Sequence, residues 1–154
     1  MIYLLLWLIQ DILQVLMMGF TLVPDIYTLI LLASALMPGV DEEKQKKLIW
    51  LAFFGGLMWD LRWTNLIGLM ACVNVLIIFF VPNYWKKVPA QGRTPYLLAF
   101  LLFCSQLFTA ASNYIFWSVP SSVAVRLIGI QLILVLPVIL LIAYLYKKVY
   151  ENYV

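Results

Sequence analysis

Residues 55–69 read GGLMWDLRWTNLIGL and contain one carboxylate, Asp60, at the end of an apolar run that begins at Leu48. The surrounding chain of 154 residues is 66% hydrophobic and only 11% charged, with a mean hydropathy of +1.02. This composition lies far outside the range of soluble globular domains. We therefore expect residues 1–154 to form a single integral-membrane domain, and Asp60 must be placed relative to a bilayer.

Six apolar segments are bounded by charge, proline or glycine, and each is predicted to be a membrane-spanning helix. Helices are expected because backbone groups in hydrocarbon must be satisfied within the segment. The N-terminal segment has no basic residue before its apolar run and no small-residue cleavage pattern, so it is predicted to be a retained helix. The predicted helices cover residues 2–20, 23–37, 44–61, 66–82, 95–118 and 122–146. The predicted fold class is an all-α, six-helix membrane bundle.

The basic residues predict the orientation of this bundle. Six spans would place eight of them on one side of the membrane and only Arg62 and Arg126 on the other. Because Lys and Arg are enriched in cytoplasmic connections, both termini are predicted to be cytoplasmic. The same charges would attract anionic lipids. The eight residues are Lys44, Lys46, Lys47, Lys86, Lys87, Arg93, Lys147 and Lys148.

The sequence offers few groups for catalysis. It contains no histidine, the commonest general base and a frequent metal ligand. It has no glycine-rich phosphate loop and no basic patch for nucleic acid. Cys72 and Cys104 lie in apolar runs at no motif spacing, so both are predicted to be buried thiols. We predict no enzyme activity, catalytic residue, metal or cofactor, although Asp25 and Asp60 leave an intramembrane aspartyl enzyme as an alternative.

Polar residues within the apolar segments predict an internal cluster. Asp11 falls near the middle of the first segment, where an ionisable side chain is costly and normally faces the bundle interior. It is either a proton or ligand site or a hydrogen-bonded residue between helices, and we favour the second interpretation. Gln14, Asn74 and Gln131 are predicted to join it as helix-to-helix contacts.

Small residues in the third segment predict a groove on one helix face. Ala52, Gly56 and Asp60 are spaced at i, i+4 and i+8, and Gly55 adds a further small position. Such spacing lets another helix approach closely, either within the bundle or from a partner. At the outer end of this groove we predict an ion pair between Asp60 and Arg126. The alternatives are Arg62 as the cation and a partner-binding role for Asp60.

Two short patterns link these residues to a known family. Pro24-Asp25 opens a short apolar helix, and Gly56-x-x-x-Asp60-Leu61 is followed by Gly68 eight residues after the aspartate. On these residues the chain resembles the bacterial rod shape-determining membrane proteins of the MreD family. The resemblance covers the second to fourth segments, while the connection Arg62-Trp63-Thr64-Asn65 is bulkier than is usual in that family.

The resemblance implies a fold similar to the substrate-binding subunits of energy-coupling-factor transporters. It implies a non-enzymatic scaffold in the bacterial cytoplasmic (inner) membrane that supports peptidoglycan synthesis and rod cell shape. The implied partners are the transmembrane segment of MreC, RodA and its penicillin-binding transpeptidase directly or through MreC, and the cytoskeletal MreB. The alternative is a small-molecule-binding subunit of a membrane transporter, motivated by the six-helix layout and the internal polar residues.

Overall fold

The computed structural model describes residues 2–17, 23–63, 66–115 and 120–153, and in these ranges the regular structure is entirely helical. Six α-helices follow one another, with a 3-10 turn at Ala90–Gly92. This confirms the predicted all-α class. The helices are α1 (Ile2–Leu16), α2 (Ile26–Leu36), α3 (Glu42–Trp63), α4 (Leu69–Lys87), α5 (Pro95–Ile115) and α6 (Ser121–Tyr153).

The second helix begins later than predicted because an aspartate caps it. The Asp25 carboxylate accepts the backbone N–H of Thr28 at 3.0 Å, so α2 starts at Ile26 rather than at residue 23. Pro24 therefore precedes the cap and does not occupy the first helical turn. Asp25 meets the N-terminal end of α2, as its position beside Pro24 predicted.

Charged residues and prolines end the apolar runs of this chain without ending its helices. The fourth helix continues through Pro82 to Lys87, and the sixth continues past Lys147 to Tyr153. The first two residues of α3 are acidic, which favours the start of a helix. The predicted ends of the first and fifth segments, residues 18–20 and 116–118, lie outside the described residues.

The shortest helix forms the centre of the bundle. Eight of the 11 residues of α2 are buried, and Leu29, Leu31 and Leu32 are fully inaccessible. A helix that is apolar on all sides is stable when it is surrounded, and α2 packs against α1, α3, α4 and α5. The pairs α3 with α4 and α5 with α6 make the most extensive contacts around it.

The outer surface of the bundle is apolar along its helices. Large side chains such as Leu140 and Leu4 are each 64% exposed, and Trp50 is 62% exposed. Within the described residues, three helical ranges, Leu69–Lys87, Pro95–Tyr114 and Ser121–Tyr150, are long and apolar enough to cross a membrane. An extended apolar surface on such helices indicates a membrane protein. The prediction that both cysteines are buried is wrong, because Cys72 is exposed on this surface and Cys104 is half-buried.

Polar contacts bring the basic segments to one end of the bundle. Gln45, near the start of α3, donates to Asn83 of α4 at 3.4 Å and accepts a hydrogen bond from Lys86. The Tyr150 hydroxyl, near the end of α6, donates to the carbonyl of Ala90 at 3.2 Å. The start of α3, the end of α4 and the end of α6 therefore meet, and they carry the basic residues that predicted the orientation.

Candidate functional site

The carboxylate of Asp60 joins the end of α3 to the start of α4. Its Oδ2 atom accepts the backbone N–H groups of Gly68 at 3.0 Å and Ala71 at 3.1 Å, and Oδ1 accepts that of Met70 at 3.1 Å. Asp60 has no solvent-accessible surface. The first N–H groups of a helix have no partner within the helix, and the helix dipole favours a negative charge beside them. Asp60 supplies that charge from a different helix.

Two glycines of the resemblance let this contact form. Gly68, which precedes the first residue of α4, has a φ of +95°, in the left-handed region that favours glycine. A Cβ atom on Gly56 would lie 2.5 Å from the Cα atom of Ala71, so only glycine permits this approach of α3 to α4. Gly56, Asp60 and Gly68 thus form one structural unit, while Leu61 lies outside it with 66% of its surface exposed.

The small-residue face of α3 is filled from within the bundle. A Cβ atom on Gly55 would overlap the ring of Tyr27, whose hydroxyl donates to the carbonyl of Leu51 at 2.8 Å. The indole N–H of Trp7 donates to the carbonyl of Gly55 at 3.1 Å, and Ala52 is fully buried. Helices α1, α2 and α4 therefore occupy the predicted groove, which leaves it closed to a partner helix.

The ion pair near the C-terminal end of α3 differs from the prediction. The Arg62 guanidinium lies 3.0 Å from the carboxylate of Asp11, which also accepts the indole N–H of Trp63 at 2.9 Å. The predicted Asp60–Arg126 pair is not formed in the described part of the chain, where the Asp60 carboxylate instead binds N–H groups at the start of α4 and Arg126 is exposed. Asp11 is thus paired with a cation from α3, which the spacing within the first segment did not indicate.

Asp25 organises a second set of polar contacts. Besides the Thr28 N–H, its carboxylate accepts the Thr28 hydroxyl at 2.6 Å and the Gln10 amide at 3.3 Å. The backbone carbonyl of Asp25 accepts the amide N–H of Gln106 at 2.9 Å. This network connects α1, α2 and α5 around the start of α2, and sequence spacing could not reveal it because Gln106 lies 81 residues from Asp25.

A small cavity adjoins these contacts, with a volume of about 40 Å³. Its lining combines two indole rings, Trp59 and Trp63, with side chains that carry hydrogen-bonding groups. Among the described residues, the hydroxyl of Tyr114 in this lining has no hydrogen-bond partner, although Tyr114 is only 5% exposed. The polar lining comprises Gln14, Asp25, Gln106, Thr109, Asn113, Tyr114 and Gln131.

The predicted polar cluster is divided by the structure. Gln14 and Gln131 line the same cavity, and Gln14 also accepts the backbone N–H of Val23 at 3.1 Å. Asn74 lines a separate cavity of about 10 Å³, and its Oδ1 atom has no partner among the described residues. Asp11 belongs to the contact with Arg62. Sequence reasoning missed Tyr114 as a cavity residue because aromatics at segment ends usually mark the membrane interface.

Comparisons with known proteins identify no relative of this chain: no family model matches it, and neither the curated proteins nor the solved structures include a significant match.

Proposed function

We propose that this chain is a non-enzymatic scaffold of the bacterial rod, or elongation, complex, with six membrane spans and both termini in the cytoplasm. In this role it binds the transmembrane segment of an MreC-type partner. Through that partner, or directly, it supports the RodA and transpeptidase enzymes of peptidoglycan synthesis. MreB is a further candidate partner on the cytoplasmic side.

The observation that carries this proposal is the unit formed by Gly56, Asp60 and Gly68. These are the residues on which the chain resembles the MreD family, and they act together to close α3 onto α4. Asp25 of the second pattern caps α2. Each charged residue of the two patterns thus contributes to helix capping and packing, which supports a structural role.

The internal packing of α3 directs the partner to another surface. Because Ala52, Gly55 and Gly56 already contact α1, α2 and α4, an MreC-type helix would bind the exposed apolar faces of the bundle. Packing and interhelical hydrogen bonds, rather than hydrophobic burial, drive helix association in lipid.

Co-expression with an MreC-type partner tests the scaffold. We expect a tagged form of the chain to retain the partner in detergent, and to lose it when the partner's transmembrane segment is replaced by an unrelated apolar helix. Failure to recover the intact partner, with the tagged chain eluting as a folded species, would contradict the proposal. The replaced-helix partner is the matched control for non-specific retention.

A second function, binding of a small molecule as a transporter subunit, is supported by the polar lining of the cavity at Tyr114. The cavity of about 40 Å³ has room for a few water molecules, so a vitamin would have to enlarge it. A buried hydroxyl without a partner is costly, and a bound molecule could satisfy it. We would measure thermal unfolding in detergent with a panel of water-soluble vitamins. Stabilisation of the native chain that is reduced in Tyr114→Phe would support this function, and absence of any shift across the panel would oppose it.

A further inference from the structure

An open apolar groove lies between α4 and α5 on the outer surface of the bundle. Its volume is about 340 Å³, and it is walled by Leu76 and Phe80 of α4 and by Leu101 and Phe108 of α5. Cys104 and Ser105 contribute to its lining between these walls. Both helices are long and apolar enough to cross a membrane, so hydrocarbon would face this groove.

The shape of the groove favours an acyl chain over a transmembrane helix. Close helix association in lipid depends on small residues that bring two backbones together. The walls here are large side chains, with Phe80 49% and Phe108 51% exposed. A flexible hydrocarbon chain can follow the space between such side chains without backbone contact.

Positive charge lies beyond one end of the groove. Leu76, Phe80, Tyr84 and Lys87 are spaced at i, i+4, i+8 and i+11, so they share one face of α4. Lys87 lies about 10 Å beyond Phe80 along the helix, given a rise of about 1.5 Å per residue. Its ammonium group is 5.5 Å from the centre of the Tyr84 ring, a distance suited to a cation–π contact.

A second cation is fixed at the same end of α4. The Arg93 guanidinium donates to the backbone carbonyls of Val88 at 2.9 Å and Lys86 at 3.0 Å. These two bonds hold its charge at the turn that contains Lys87. The neighbouring Lys86 ammonium donates one of its hydrogen bonds to Gln45 of α3. Lys87 shares the helix face that leads to the groove, and Arg93 keeps N–H donors beyond its two backbone bonds.

We propose that this groove and its flanking cations form a binding site for an anionic phospholipid. One acyl chain lies between α4 and α5, and the headgroup phosphate lies at Lys87 and Arg93. The occupant is inferred from charge complementarity: the groove is apolar, and the two cations stand where the headgroup of a chain in the groove would emerge. The proposal does not rest on the scaffold role, since it requires neither a partner protein nor the contact of Asp60 with α4. The groove is nevertheless part of the exposed apolar surface of the bundle.

Native mass spectrometry of the full chain, purified in detergent, tests the headgroup half of the proposal. Dioleoyl phosphatidylglycerol and dioleoyl phosphatidylcholine share acyl chains and differ in charge. We expect preferential retention of phosphatidylglycerol, and a loss of about fivefold in Lys87→Ala, in line with one Lys contact at an anionic lipid surface. Lys44→Ala removes an exposed cation from α3 and is the matched control. Equal retention of the two lipids, or equal losses in the two variants, would overturn the proposal.

Filling the groove tests the acyl half. Cys104→Phe places a large ring in the lining, so retention of phosphatidylglycerol should fall while Lys87 is intact. In the unmodified protein, phosphatidylglycerol should slow alkylation of Cys104 and leave exposed Cys72 unaffected as an internal reference. Undiminished retention in a folded Cys104→Phe variant, or unchanged Cys104 alkylation, would place the lipid elsewhere and refute this site. If a transmembrane helix, and not a lipid, occupied the groove, retention of phosphatidylglycerol would also be unchanged in Cys104→Phe.

Discussion

The Oδ2 atom of Asp60 accepts the backbone N–H of Gly68 at 3.0 Å, across the connection between α3 and α4. Asp60 is inaccessible to solvent, and two further N–H groups of α4 bind the same carboxylate. A buried charge is tolerated where backbone donors and a helix N-terminus surround it. This contact explains why an acidic residue follows a long apolar run.

Asp60→Ala is expected to lower the free energy of unfolding by about 1–3 kcal/mol, because it leaves buried backbone donors without an acceptor. Asp60→Asn keeps one acceptor oxygen, so its free energy of unfolding should fall less than that of Asp60→Ala. Unfolding by denaturant titration in mixed micelles would measure both. Glu42→Ala, at an exposed position in α3, is the control, and a loss at Asp60 no larger than at Glu42 would contradict this role.

Gly56→Leu is expected to separate α3 from α4, because even a Cβ atom at this position would contact the backbone of Ala71. Gly56→Ala should also destabilise the bundle. Gly129→Ala in α6 meets no atom within 4 Å and should be neutral or stabilising by about 0.4–1 kcal/mol. Thermal unfolding in detergent compares the variants, and similar behaviour of Gly56→Ala and Gly129→Ala would count against the close approach.

Asp11 and Arg62 should be energetically coupled. Arg62 is about half-exposed, so solvent screening limits the coupling to about 0.5–1 kcal/mol. A double-mutant cycle of Asp11→Asn and Arg62→Gln measures it, and the value should fall as the salt concentration rises. The exposed Glu43–Lys47 pair within α3 provides the reference cycle. A coupling no greater than that of the reference pair would show that the contact contributes little.

Two tyrosines with different partners should respond differently to loss of the hydroxyl. Tyr27→Phe removes a hydrogen bond to Leu51 and should cost about 1 kcal/mol of unfolding free energy. Tyr114→Phe removes a buried hydroxyl that has no partner among the described residues, so it should be neutral or stabilising without a ligand. Denaturant titration of the two variants side by side checks this contrast. A greater loss of unfolding free energy in Tyr114→Phe than in Tyr27→Phe would contradict the hydrogen-bond partners assigned to the two hydroxyls.

The patterns that depend on neighbouring residues were readable from the sequence. Apolar runs predicted six helices, and the pattern Pro24-Asp25 predicted that Asp25 would lie at the start of α2. Helix ends were less predictable, because the apolar run stops at Pro82 whereas the hydrogen bonds of α4 continue to Lys87. The candidate site was predicted in part: Gly56, Asp60 and Gly68 were identified, but the role of Asp60 as a cap on α4 was not.

What the sequence determined by itself is the helical, apolar character of the chain and the segregation of its basic residues, because both follow from the order and chemistry of adjacent side chains. Only the tertiary structure decided that Arg62 pairs with Asp11, that Tyr27 fills the face of Gly55, and that Tyr114 lines a cavity. The first two contacts join residues 51 and 28 positions apart, the cavity joins residues from several helices, and all three arise when helices pack. Helical periodicity specifies which residues share a face, whereas the neighbour of that face is chosen by the packing of the whole bundle.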